Sequence, residues 1–139
     1  EGLSGVTTHH AGFLTYEHEG EGADAILSIT ALHHLPDFWK MVALLRVRDM
    51  LEPDGLFLLR DALYTFDAAD YESGVERWID NGRPEGEGFT RTDYETHVRD
   101  EHSTFGWIVE GMLERAGFEI REKTERSQGV GAEYLCAPV

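Results

Sequence analysis

DAILSITALHHLPDFWKMVALLRVRDMLEPDGLFLLRD, residues Asp24 to Asp61, is the stretch that decides the fold class. Ala25 to Ile29 is a short apolar run, the pattern of a strand buried on both faces. Pro36 and Asp37 then open a helix, with the Asp37 carboxylate placed to accept from free amides of the first turn. Apolar residues at Phe38, Met41, Val42, Leu45 and Val47 mark its expected buried face, and Lys40, Arg46, Arg48 and Asp49 the wet one. Glu52-Pro53-Asp54-Gly55 is a turn, because proline presets one dihedral and glycine closes the loop. Leu56 to Leu59 is a second apolar strand that runs into Arg60 and Asp61. Strand, helix, turn and strand at this length make a βαβ unit, with parallel strands and a right-handed crossover. Ligands of open α/β sheets bind beyond the carboxyl ends of the strands. Those ends carry Thr30 to His34 and Arg60 to Tyr64.

Toward the C terminus, Asp67 and Asp70 open a helix to about Asp80, with Tyr71, Val75, Trp78 and Ile79 on one face. A glycine-rich loop over 83–89 follows, and Thr92 with Glu95 suits the capping box of a short helix ending near Asp100. Residues 61–102 stand between two sheet strands and are read as a lid over the strand ends. Ser103 or Thr104 caps a helix to Ala116, whose Phe105, Ile108, Val109, Met112 and Leu113 form one apolar stripe. Gly117 takes the left-handed position after it, and Phe118 packs back. Strands over 118–124 and 132–137, joined by a turn at 125–131, form an antiparallel hairpin at the sheet edge. Toward the N terminus, the β-branched run Val6 to His10 predicts another strand, Phe13 to Tyr16 an apolar extension and 18–22 a polar loop.

Composition excludes several classes of partner. With 12 Lys and Arg against 27 Asp and Glu, the net charge of −15 repels nucleic acid and anionic membrane surfaces; its plainest role is solubility. The 139 residues suffice for one domain with a real core. A lone cysteine, Cys136, allows no internal disulfide, so a cytoplasmic location is expected. There is no signal peptide and no apolar run of membrane-spanning length. The chain opens on Glu1 rather than methionine, as a processed, trimmed or partial chain would. Its seven histidines show neither HExxH nor paired-cysteine spacing, and His9 and His10 on a strand would face opposite sides, so no metal site is read.

The order of these segments resembles the second half of the class I S-adenosylmethionine (SAM)-dependent methyltransferases. ADAILSITALHHLPD is similar to that family's fourth strand and following loop, and LEPDGLFLLRD to its turn and fifth strand. RAGFEI and AEYLCA are similar to its sixth and seventh strands. The implied fold is α/β: a three-layer, partial Rossmann-like sheet, mostly parallel, with a C-terminal antiparallel hairpin, in one domain over 1–139. The family's glycine-rich cofactor loop and ribose-binding acid have no counterpart. None of Gly20/Gly22, Gly86/Gly88 or Gly129/Gly131 follows a strand and opens a helix.

The resemblance places Gly12 and Phe13 near the adenine of SAM, and Ser28, Ile29 and Thr30 near its methionine part. It turns His34, Arg60, Asp61, Tyr64, His102 and Trp107 toward a small-molecule substrate, with His34 or His102 as the base taking a proton from an attacking hydroxyl or amine. Plainer roles stand beside these. One of the adjacent His33 and His34 is more often simply hydrogen-bonded at the strand end. Arg60-Asp61 reads equally as an ion pair fixing the lid, and Tyr64 and Trp107 more readily as core. Two functions remain: a methyltransferase-like protein acting on a small molecule, its missing half supplied by a separate chain or lost by truncation, or a non-catalytic binding or dimerisation module. With no first or second strand, Ala25 to Ile29 presents a bare edge without proline, lysine or bulge, from which a homodimer is expected.

Overall fold

Strand β1 (Ala23–Ile29) and strand β2 (Leu51–Tyr64) pair in parallel, from Ala25 opposite Leu56 to Ile29 opposite Arg60, with helix α1 (Asp37–Met50) crossing between them. The βαβ unit is therefore present in this computed structural model, which describes residues 4–126 and 129–139. The expected turn at 52–55 is absorbed into β2 as an irregularity, with a register shift between Ala23 and Ala25. Gly55 makes this possible: a Cβ there would sit 2.9 Å from the carbonyl oxygen of Ala23. Beyond β2 come a 3-10 turn (Ala68–Asp70), α2 (Tyr71–Ile79), α3 (Arg91–Asp100), α4 (Gly106–Arg115), β3 (Phe118–Glu125) and β4 (Val130–Pro138). Gly117 has a φ of 87° and Phe118 is buried, as its position after α4 requires. Of the expected turn over 125–131, residues 127 and 128 lie outside the described residues.

The sheet order is β1-β2-β4-β3, with β4 antiparallel to both of its neighbours. The α/β class and the antiparallel hairpin are as expected, but only one of the three pairings is parallel. Alternation along β2 sends Phe57, Leu59, Asp61 and Leu63 to one face, where all are buried. Ala43, Leu44 and Val47 of α1 join Val109 and Leu113 of α4, Tyr134 and Cys136 in the same cluster, so both helices cover that face. The opposite face stays open: Leu27, Ile29 and Leu56 are 62%, 47% and 43% exposed. The described residues thus build two layers with α2 and α3 beyond the end of β2. β1, at the end of the sheet, is buried on one face rather than two.

Helix α1 buries a different face from the one its sequence suggests. Phe38, at 70% exposure, Trp39 and Leu45 look outward, while Lys40 goes in with Ala43, Leu44 and Val47. Lys40 is tolerated because its ammonium donates to Asp37 Oδ1 at 2.7 Å and to the His102 carbonyl, leaving its aliphatic stem to pack. Asp37 is thereby engaged, and no side chain caps α1. The capping box lies at Thr90 and Asp93 rather than Thr92 and Glu95, because the helix has already started at Arg91. Helix α4 starts at Gly106 without a side-chain cap: the Ser103 hydroxyl bonds His97, and the Thr104 carbonyl accepts from the Tyr64 amide. Val6 to His10 is not a strand. Val6 is 61% exposed, and β-branched residues gain little away from a half-buried pleated surface.

Candidate active site at the strand ends

β1 ends in a kink. Thr30 has φ of 49°, a strained conformation for a β-branched residue, and its amide still donates to the Arg60 carbonyl at 2.8 Å. The kink feeds a 3-10 turn, Leu32–His34, which sits above Asp61 of β2. Asp61 Oδ2 accepts from the amides of Leu32 at 2.7 Å and His33 at 3.1 Å, and Oδ1 from the amide of Ala62 at 2.8 Å. The same Oδ1 meets His33 Nδ1 in a short hydrogen bond. The side chains of His33 and Asp61 are 8% and 0% exposed. A carboxylate already receiving three amides can only accept, so the network assigns a proton to His33 Nδ1.

The end of α3 closes over this dyad. The His102 amide donates to the His33 carbonyl at 2.9 Å, while the His102 carbonyl receives the Lys40 ammonium. These two bonds carry Glu101 to His34, where Oε2 lies 2.7 Å from Nδ1. The hydrogen bond from His34 holds the Glu101 carboxyl below its ordinary value. His97, one helical turn earlier, stands with its ring 5.0 Å from that of His33 and its Nε2 2.8 Å from Ser103 Oγ. Burial, and then the charge of His33, push its pKa down. Ser103 also lines a cavity of about 450 Å³ walled by Tyr64, Phe66, Val75, Val98 and Phe105. The Tyr64 ring packs against Phe66 at 5.4 Å and Phe105 at 5.8 Å, and burial raises its phenol pKa.

Of the residues expected at the site, His34, Asp61 and Tyr64 are brought to these strand ends. His102 contributes its backbone, and its side chain is exposed. Arg60 points to the opposite sheet face, where its Nε bonds Glu133 Oε2 at 2.6 Å, because strand neighbours alternate. It pairs with Glu133 rather than with Asp61. Trp107 is 65% exposed; it stacks on Phe105 with centroids 6.3 Å apart and lines a separate shallow depression on α4. The structure adds His97 and Lys40, which the sequence did not single out, and picks His33 as the member of the histidine pair that bonds Asp61. The adjacent histidines carry no periodicity that tells which faces Asp61, and only the turn conformation decides it. His97 had one usable signal, its four-residue spacing from Glu101 just past a helix end.

No protein-family model matches the sequence, and no curated protein matches it. Solved structures do match. LepI in complex with SAM superposes with a TM-score of 0.65 over 99% of this chain, at 13% identity. The mitomycin 7-O-methyltransferase MmcR gives 0.58 over 91%, at 16% identity. An O-methyltransferase family 2 protein from Planctomyces limnophilus, solved with apigenin, gives 0.57 over 86%, at 14% identity. The chain has a class I methyltransferase-like fold. The chain spans about a third of the length of those proteins: 32%, 32% and 31% respectively. Among the described residues, no helix is long and apolar enough to cross a membrane.

The residues assigned to SAM do not form a cradle by themselves. Gly12 closes a turn in which its carbonyl accepts from the Thr15 and Tyr16 amides, and Phe13 lies over α1, its carbonyl taking Arg46 Nε at 3.0 Å. Ile29 faces the open side of the sheet, and Thr30 forms the kink. None of the four main cavities is lined by both groups. Ser28 alone asks for a partner: its hydroxyl is buried and makes no hydrogen bond.

Proposed function

We propose that this chain is the substrate side of a methyltransferase-like site, in which His33 is the general base toward a hydroxyl of a planar aromatic small molecule. The observation that carries this is the buried His33–Asp61 pair at the strand ends, linked through His97 and Ser103 to a cavity walled by Tyr64, Phe66 and Phe105. The proton would pass from the hydroxyl to His33 Nε2, and Asp61 would steady the resulting imidazolium through Nδ1–H. The phenolate left behind is the better nucleophile. The chain's own chemistry stops at that proton, because Gly12, Phe13 and Ser28 to Thr30 do not assemble a cofactor cradle. Structural neighbours solved with SAM or its demethylated product, and one solved with apigenin, support the choice of donor and acceptor class.

The second reading, a binding or dimerisation module, is favoured by one observation, the apolar edge and face at Leu27, Ile29 and Leu56. The partner we propose for it is a second copy of the chain; nucleic acid and membrane are disfavoured by the charge of −15. The one buried, unpaired cysteine fits a cytoplasmic setting. Calorimetry separates the two functions. The substrate-side reading expects saturable binding of apigenin, weakened by Tyr64→Ala, and no heat with SAM. Silence with apigenin would leave the module, and micromolar SAM binding would contradict the missing cradle.

A further inference from the structure

We propose that His33, His34 and Glu101 form a binding site for a borderline divalent cation of the Zn²⁺ and Co²⁺ class. One ring nitrogen of each histidine and one carboxylate oxygen of Glu101 lie within 4.8 Å of one another, although His34 and Glu101 are 67 positions apart in the chain. Ligands bound at 2.0–2.1 Å to a tetrahedral ion stand roughly 3.3 Å apart, so small side-chain rotations close the triad on an ion. Three further features make this a built site. Asp61 occupies Nδ1 of His33, the carboxylate–histidine support that orients metal-ligating imidazoles, and leaves Nε2 to bind. Glu101 is fixed from both sides, its own amide donating to the His97 carbonyl at 3.0 Å and the next residue anchored to His33 and Lys40. Access is open, since the side chains of His34 and Glu101 are 58% and 31% exposed.

Two imidazoles and one carboxylate select Zn²⁺, Co²⁺ or Ni²⁺ over Mg²⁺ and Ca²⁺, which prefer all-oxygen shells. Three protein ligands leave a coordination position open to solvent or ligand. Sequence spacing does not reveal such a site, because the fold alone brings the end of α3 to the turn after β1.

The test is titration of the full chain with Co²⁺, followed by visible absorption and by competition with Zn²⁺. The background carries His9→Ala, His10→Ala and His18→Ala, which removes the N-terminal histidines as alternative ligands. One equivalent of Co²⁺ with saturable visible bands, displaced by Zn²⁺, is expected. His34→Ala and Glu101→Gln, both at partly exposed side chains, should each weaken binding at least about tenfold with unchanged circular dichroism. Absence of a saturable band, or equal affinity in both variants, overturns the site.

Discussion

Replacing Asp61 by asparagine keeps the shape of the side chain and removes the charge on which the strand ends are assembled. In the structure one carboxylate accepts from the amides of Leu32, His33 and Ala62 and from the His33 ring. Asparagine offers one oxygen and one NH₂ group. Whichever way the amide is turned, either the Leu32 and His33 amides or the Ala62 amide and the ring face a donor instead of an acceptor. A buried donor left unpaired costs about 1–3 kcal/mol, and bonds to a charged group contribute about 1.5–3 kcal/mol each. Since these bonds share one carboxylate, their losses do not add, and Asp61→Asn should destabilise by about 2–4 kcal/mol. Urea unfolding, followed by fluorescence of Trp39, Trp78 and Trp107, measures this directly. The midpoint should fall with an unchanged slope. A loss below about 0.5 kcal/mol, within the range of ordinary surface substitutions, would show that Asp61 does not hold the turn.

Val109→Asp, at a fully buried position between α4 and the sheet, should cost about 3–5 kcal/mol by enclosing an unpaired charge; an unchanged melting temperature would remove α4 from the core. Burial pushes the Cys136 thiol from 9.0 up to about 12 and raises the Tyr134 phenol as well. Both folded values lie above the unfolded ones: the Cys136 contribution is complete below pH 9.0 and is lost as pH rises toward about 12, while the Tyr134 contribution begins to fall only above pH 10.0. Thermal melts should therefore show stability falling above about pH 9, by at most about 1.4 kcal/mol per pH unit for each group, and less steeply in Cys136→Ala. A flat profile in the wild-type chain would contradict that. At the open sheet face, light scattering should find a dimer at micromolar concentration, and Leu27→Lys, a charge at an exposed edge position, should return it to monomer. A wild-type monomer would end the dimer proposal.

The fold was legible where local chemistry and packing agree. The apolar runs of β1 and β2, the Gly117 left-handed stop and the stripe of α4 all follow from residues a few positions apart. What was not legible depends on partners far along the chain. Lys40 looks like a surface residue until Asp37 and the His102 carbonyl, 62 positions away, receive its ammonium. Its burial rotates α1 and turns Phe38 out. Val6 to His10 has the composition of a strand, but no sheet surface lies under it. Asp61 and Tyr64 were expected at the strand ends and lie there because both belong to the last residues of β2, whereas His33 and His34 are separated only by a 3-10 turn. Arg60 was misplaced because adjacent strand residues take opposite faces. Glu101 enters the cluster through backbone bonds of its neighbour, which no spacing encodes.

The proposed function rests on His33 as a base toward a hydroxyl held in the aromatic cavity. NMR of the imidazole nitrogens, with and without a planar phenol, tests it most directly. The account predicts that His33 carries its proton on Nδ1 in the free chain. On titration with the phenol, its Nε2 signal should shift in step with the rings of Tyr64 and Phe105. A proton on Nε2, or shifts at Tyr64 and Phe105 that leave His33 unmoved, would contradict it.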